Sequence, residues 1–499
     1  MSFSTNPRAG IAAQFHIIQT GALHPDYTYW APIWLKIRDA ELGEVQIKSK
    51  GQQYLPKLAG HDAEQYKSFL QRATYFNMTS KTVNALYGSL TSKKPVVNTH
   101  GFDIPGRLTK DGLSLPLAAK TACREVVTLG RFGMLVDADA DGKGSPFVAT
   151  YTAENIMDWE VAELDGEVKL SRVVLREASF DRSPDASPHQ INSRFRVLCL
   201  EPSPSGWQYT VYLYDDRDGS GIPDTRGLPD QSFMPTVRGR TLDHIPFVIV
   251  GPVTIHPDVQ KPPLLDIVTL NLSHYQSYAH LEQGRFYTAS PVYTVSGDTG
   301  DGEAGEYFVG PDMVWELGQN GEAKILEFAG KGLTSLEHAL TQKEAQIAAI
   351  GGRMMPTTDG APGEGKNALR RREFDERTLL LNIADCVDGA FTQVLRWLAD
   401  WSNAPKSAQN LTFKLPRDFV TKKRSDAREL RALHMLYKEG HIPLTVLFDA
   451  LQNADVIPDW MDREEFENLL NDEDQFPNLP DIKARMRGYP DAETMMGAT

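Results

Sequence analysis

Cysteine is scarce, positive charge is in deficit, and no apolar run is long. Only three cysteines occur in 499 residues: Cys123, Cys199 and Cys386. They lie far apart and form no Cys-x-x-Cys, which excludes a disulfide framework and a cysteine-based zinc site and points to a reducing compartment. Lys and Arg number 52 against 66 Asp and Glu, a formal net charge of −14. A sequence-specific DNA reader usually carries an overall basic footprint. This chain does not, so any contact with nucleic acid has to come from local patches. The best apolar run, IPFVIVGPV at 245–253, is interrupted by Pro246 and Pro252 and falls far short of the ~20 residues of a membrane span. The opening MSFSTNPRAGIAAQF has no apolar core of a signal peptide. No internal repeat is present. The expectation is a protein made and used in the cytoplasm, unless it is carried inside a larger particle, with no membrane contact.

What remains is an ordinary globular composition, 41% hydrophobic and 24% charged. At ~100–200 residues per domain the length predicts two to four domains. Residues 1–60 read as an irregular arm with one short helix. Residues 62–91 read as one helix, with Asp62 as N-cap and Tyr66, Phe69, Leu70, Ala73, Phe76, Val83 and Leu86 at helical spacing. A helix at 113–129 closes on Gly130, and a strand follows at 131–137. The next 120 residues are β-rich, with alternating β-branched and aromatic residues in VKLSRVVLREA, RFRVLCLE and WQYTVYLYD. From Pro262 the pattern turns helical. Long helices are expected from 262 to about 285, over 334–351 and over 368–401. Short strands are expected at 291–295, 306–309 and 313–317. Smaller helices follow between 421 and 472, including 425–439 and 444–453, and then a Pro- and Asp-rich tail.

Four local motifs bear on chemistry. GAPGEGKN at 360–367 satisfies G-x-x-x-x-G-K, but Asn367 stands where a phosphate loop needs Ser or Thr for Mg²⁺, and no strand precedes it. DADADGKG at 137–144 begins like a calcium loop but has Val148 at the twelfth position, and DDRDGSGIPD at 215–224 fails at Gly227. Both read as Asp-Gly turns between strands. His244, His256, His274 and His280 show no i, i+4 metal pair. No catalytic constellation, cofactor site or metal site is predicted. The fourth motif, KNALRRREFDER at 366–377, places Lys366, Arg370, Arg371, Arg372 and Arg377 at the start of a helix. Cations there oppose the helix dipole. Either they form a solvated face with Glu373, Asp375 and Glu376, or they meet phosphates.

The segment YLPKLAGHDAEQYKSFLQRATYFNMTSKTVNALYGSLTSKKPVV at 54–97 resembles a family of tailed-phage portal proteins long catalogued as a domain of unknown function. The residues that carry the resemblance are Tyr54, Leu55, Pro56, Tyr66, Arg72, Ala73, Phe76, Asn77, Thr79, Thr82 and Gly88. LGRFGMLVD (129–137), YTAENIMDWE (151–160), VVLRE (173–177), HIPFVIVG (244–251), PPLLDIVTLNLSHYQS (262–277) and KEAQIAAIGGRMM (343–355) follow in the family's order. One departure is Ser92-Lys93-Lys94-Pro95, where many relatives have Phe-Arg-Lys-Pro.

The resemblance implies an α+β portal fold with an α/β wing, a helical stem, a β-rich clip and a helical crown. It implies an arm and wing at 1–114, more wing and a first stem region at 115–189, a clip at 190–250 and a second stem helix at 251–285. It then implies wing with a channel helix and tunnel loop at 286–420, and crown and tail at 421–499. The helix at 115–129 is short for a partner stem helix. The implied protein is no enzyme. It is a ring, usually of twelve, at one capsid vertex of the virion, assembled in the host cytoplasm. Its partners would be other copies of itself, double-stranded DNA without sequence specificity, the terminase large subunit, a head–tail adaptor, and major capsid and scaffold proteins. The glycine-rich stretch 351–367 would form a mobile collar around the DNA. Arg353, Met354, Met355, Thr357, Thr358 and Lys366 would line it, and Arg370, Arg371 and Arg372 would be possible phosphate contacts. The alternatives are a nucleotide-binding enzyme built on GAPGEGK, or another virion structural protein.

Overall fold

A computed structural model describes residues 23–138, 145–180, 191–204, 206–217, 219–223, 228–289, 292–296, 321–326, 330, 332–354, 366–417, 427–454, 456–457, 461 and 463–471. The chain is α+β and forms two compact units: Met1–Pro356 with Pro362–Phe419, and Thr357–Ala361 with Val420–Thr499.

The larger unit begins with α1 (Pro25–Leu42) and α2 (Glu44–Ser49), followed by α3 (Ala63–Arg72) and α4 (Met78–Leu90). Strand β1 (Val96–Asn98) leads to α5 (Leu115–Leu129), β2 (Phe132–Asp137) and β3 (Phe147–Thr152). Strands β4 (Ile156–Leu164), β5 (Glu167–Phe180), β6 (Ile191–Ser203), β7 (Gly206–Asp215) and β8 (Gln231–Phe233) follow. Then come β9 (Thr236–Val237), β10 (Arg240–Thr241) and β11 (Phe247–Val250). Helix α6 (Leu265–Thr288), β12 (Val292–Ser296), β13 (Glu322–Leu326), α7 (Leu333–Met354), α8 (Lys366–Trp401) and β14 (Thr412–Lys414) complete it. The second unit contributes α9 (Ala427–Lys438), α10 (Leu444–Asn453) and α11 (Arg463–Asn471).

Strands β4 to β8 form an antiparallel meander in sequence order. A second, three-stranded sheet has the order β11-β2-β3, and β2 is buried at all six positions. Gly133 of β2 is dictated by packing. A Cβ there would lie 2.5 Å from Cζ of Phe247 and 2.9 Å from Cδ1 of Ile156. Gly130 ends α5 in the left-handed region at φ 71°, where glycine costs least.

Charged side chains stitch the two sheets together. Arg196 of β6 donates from Nη1 to Asp137 of β2 at 2.9 Å and from Nε to Glu177 of β5 at 2.7 Å. The Tyr151 hydroxyl of β3 donates to the same Glu177 carboxylate at 2.5 Å. Burial pushes the carboxyl of Asp137 up. Burial acts the same way on Glu177, but the charge and hydrogen bond of Arg196 outweigh it and hold that carboxyl low. Closer to the chain start, Arg38 of α1 bridges Glu125 of α5 and Glu154 ahead of β4, at 2.5 and 2.8 Å. Arg131 is almost fully buried. It donates to the Pro257 carbonyl at 2.5 Å and lies 4.0 Å above the Trp159 ring, on which the His24 ring also stacks at 3.8 Å. Burial lowers its pKa to about 9, and the ring face offsets part of the lost hydration.

Several expectations are revised. The arm expected at 1–60 contains the 18-residue α1 with Trp34 and Ile37 fully buried. Pro25 occupies the first turn, where the missing N–H costs nothing, and Pro32 is carried inside the helix. The single helix expected at 62–91 is two helices, because Ala73 is extended and Asn77 caps α4 by accepting the Ser80 amide at 2.8 Å. Residues 306–317, where two strands were expected, lie outside the described residues. The partner of β12 is β13, at Glu322–Leu326. Helix α5, expected as 113–129, runs over Leu115–Leu129 with ten of its fifteen residues buried.

Candidate functional site

The stretch from α6 to α8 holds the predicted site. At 1.5 Å per residue, α6 is about 36 Å long and α8 about 54 Å. Helices α6 and α7 are antiparallel neighbours, since their contacts pair 273 with 343, 274 with 344 and 285 with 337. Lys343 donates to the Ser273 carbonyl at 3.0 Å and to the Ser277 hydroxyl at 2.6 Å. His274, buried on α6, meets the Glu344 carboxylate at 3.2 Å. Arg285 bridges Glu282 and Glu337 at 2.8 and 2.9 Å. Burial against α6 lowers the pKa of Lys343.

Helix α8 is anchored by its second half. Leu380, Ile383, Val387, Phe391, Val394 and Leu398 recur at helical spacing and are fully buried. Phe391 stacks on Phe413 of β14 with ring centroids 4.9 Å apart. Asp388 accepts the Leu415 amide at 2.7 Å and the Arg417 guanidinium at 2.6 Å. Burial raises its carboxyl to a pKa of about 6.

The helices reach further into the predicted collar than expected. Gly351, Gly352, Arg353 and Met354 continue α7, and Lys366 opens α8. Glycine weakens a helix interior by about 1 kcal/mol against alanine, which is why the paired glycines read as loop. Arg370, Arg371 and Arg372 follow in the first turns of α8. Met355, Thr357 and Thr358 lie outside the described residues, as do the side chains of Arg353, Met354, Lys366 and the three arginines. The backbone thus places Arg353 and Lys366 at the two helix ends that flank 355–365. GAPGEGKN falls in this segment up to Gly365, with its lysine on the first residue of α8.

The rejected motifs have other partners. Asp137, first in DADADGKG, is held by Arg196, and residues 139–144 of that motif lie outside the described residues. Asp215 pairs with Arg194 at 2.7 Å, while Gly219 and Gly221 have the positive φ of turn glycines. His244 stacks near Trp397 and His280 lies against Phe69. Among the described residues no group of three or more His, Cys, Asp or Glu converges as a metal site, and no helix is long and apolar enough to cross a membrane. The three cysteines are free thiols, raised by burial to pKa values of about 12, 12 and 11. Such thiols are poor nucleophiles at neutral pH.

Several of the residues that carried the sequence resemblance hold the fold together. Tyr54 donates to buried Asp39 at 2.7 Å, Tyr66 to the Leu55 carbonyl at 3.0 Å and Arg72 to Gln283 at 2.6 Å. Tyr75 and Thr79 meet at Asn271 of α6. Nothing in the structure explains Gly88, whose added Cβ would meet open space.

Residues 263–402, from the start of α6 to the end of α8, match a family described as "Domain of unknown function (DUF4055)". No curated protein matches the sequence. Among solved structures, the chain is similar to one from the neck of an empty GTA particle computed with C6 symmetry. That match has 11% identity and a TM-score of 0.37, over 81% of this chain and 92% of that one. A chain from the virion of a native gene transfer agent (GTA) particle has 11% identity and a TM-score of 0.36, over 86% of this chain and 99% of that one. One from the neck of the native particle computed with C12 symmetry has 11% identity and a TM-score of 0.35, over 76% and 89%.

Proposed function

We propose that this chain is the portal protein of a tailed bacteriophage. Copies close into a ring of twelve at one capsid vertex, and the bore passes double-stranded DNA without reading its sequence. The ring docks the terminase large subunit during packaging and a head–tail adaptor afterwards, and it is seated among major capsid and scaffold proteins. Assembly takes place in the host cytoplasm and the finished ring belongs to the virion. The motor supplies the energy, so the chain itself has no ATPase activity.

One observation carries this reading. The antiparallel pair α6 and α7, then the segment 355–365, then α8, follow one another in the order the portal resemblance assigns to stem, channel helix, tunnel loop and wing helix. The β-rich region precedes them, as a clip requires. Within the proposed clip, 190–250, strands β6, β7 and β8 continue the sheet of β4 and β5, while β11 belongs to the sheet of β2 and β3. The small helices α9 to α11 stand as the crown.

The charge distribution supports the conduit. A chain of net charge −14 gains little from phosphate overall, and each neutralised phosphate adds affinity that would resist sliding. Arg353 and Lys366, at the ends flanking 355–365, would provide weak contacts that exchange as DNA moves. A cyclic ring repeats one heterologous interface until it closes, so these residues recur around the bore. Electron microscopy of the purified full chain tests the reading: rings with a central hole are expected, and a stable monomer at high concentration would sink it.

A further inference from the structure

Helix α1 enters the fold at His24, and several contacts meet on that residue. Its backbone N–H donates to the Met157 carbonyl of β4 at 3.1 Å. Its Nδ1 accepts the Asp26 amide at 3.1 Å, which caps the first turn of α1. Its ring stacks on Trp159 of β4, with centroids 3.8 Å apart and planes 18° apart. The Arg131 guanidinium lies 4.0 Å from the same Trp159 centroid. Two groups that close to one centroid cannot share a face, so the indole is sandwiched between imidazole and guanidinium.

We propose that His24 is a pH-operated latch. Its neutral ring fastens the start of α1 to β4, and protonation unfastens it. Two features of the geometry require the neutral ring. A ring nitrogen accepts a hydrogen bond only through a free lone pair, and both nitrogens of the imidazolium are donors. Protonation turns the cap at Nδ1 into a contact between two donors and leaves the Asp26 amide unserved in the first turn. The Asp26 carboxylate, 3.9 Å from Nδ1, then draws the ring away from that amide. The second feature is Arg131. It is 1% exposed, and its Nε and Nη2 have no hydrogen-bond partner among the described residues. A protonated His24 sets a second cation across one ring from this buried guanidinium.

The charged groups around the ring are Asp26 on α1, Asp158 on β4, Arg131 ahead of β2 and Asp258 in the loop before α6. The three carboxylates favour the imidazolium, although Asp158 is already paired with Arg172. Burial and Arg131 oppose it. Burial is the largest effect, and it holds the ring below its ordinary pKa of 6.5. The unfolded chain therefore binds this proton more tightly than the folded one. The latch is closed above about pH 6.5 and is lost as the pH falls through the lower folded value. The side chain is 25% exposed, so solvent protons reach it. This inference does not depend on the portal reading.

The test is amide hydrogen exchange of the full chain between pH 7.5 and pH 5, corrected for the intrinsic pH dependence of exchange. Mass spectrometry compares peptides covering 24–30 with peptides covering 34–42. The second set contains the fully buried Trp34 and Ile37 and reports on the fold as a whole. Protection at 24–30 is expected to fall by about fivefold or more at the lower pH, the equivalent of one lost cap. Protection at 34–42 should stay unchanged. His24→Asn and His24→Ser supply capping groups that do not titrate. Variants whose protection at 24–30 is the same across the pH range, whether high or low, support the latch. Three results overturn it: no pH dependence in the parent chain, the same dependence in the variants, or a loss shared equally by 34–42.

Discussion

The side-chain oxygen of Asn271 accepts both the amide and the hydroxyl of Thr79, at 3.1 and 3.0 Å. It also accepts the Tyr75 hydroxyl at 3.0 Å, while its nitrogen donates to the Phe76 carbonyl at 2.8 Å. One buried carboxamide on α6 thereby serves the backbone at the break between α3 and α4, where helical hydrogen bonds are lost. Asn271→Ala would leave several buried polar groups without partners, at about 1–3 kcal/mol each. A loss of about 3 kcal/mol or more in urea unfolding is expected. Thr79→Val should cost less, and the double variant should fall short of the sum, because both members belong to one network.

Arg196 holds two sheets together through Asp137 and Glu177. Replacing it with Met leaves two buried carboxylates unpaired, and breaking a buried pair on one side costs about 3–5 kcal/mol. The unpaired acids would then have raised pKa values, so protonation would relieve them. The stability gap between the variant and the parent should narrow as the pH falls from 7.5 toward 5, measured by chemical denaturation at each pH. A gap that does not change with pH would place the contribution of Arg196 in packing instead of charge.

Asp388 has a pKa of about 6 in the fold against 3.8 for an ordinary Asp. The folded state binds this proton more tightly than the unfolded state, so the contribution to stability is fully present below about 4 and is lost as pH rises to about 6. Asp388→Asn keeps an acceptor for the Leu415 amide and removes the titration. The melting temperature of the variant relative to the parent should therefore rise between pH 4 and pH 6 and level off above that range.

Arg353→Glu with Lys366→Glu tests the proposed collar. Ring assembly is expected to persist by electron microscopy, while DNA packaging or retention falls. In binding to duplex DNA the salt slope should shrink by about 1 for each phosphate contact removed. Failure to assemble would place these residues at the subunit interface.

Composition and periodicity already determined a great deal: an α+β chain without disulfides, the β-rich middle, and three long helices in the order now seen. Apolar spacing carries that information locally. Leu380, Ile383, Val387 and Phe391 mark the buried face of α8 whatever packs on it. Tertiary structure decided what local spacing cannot express. The stretch 62–91 has continuous helical periodicity, yet it breaks at 73–77 because Asn271, nearly 200 residues later, satisfies the interrupted backbone. Arg131, Arg196 and Asp137 look like surface residues in sequence, but they are buried because their partners arrive from other strands and loops. The basic motif at 366–372 was visible at once, whereas the extent of the helices on either side, α7 to Met354 and α8 from Lys366, was not. Charge is legible residue by residue, whereas the desolvation and pairing that give charge its energy depend on which distant segments meet.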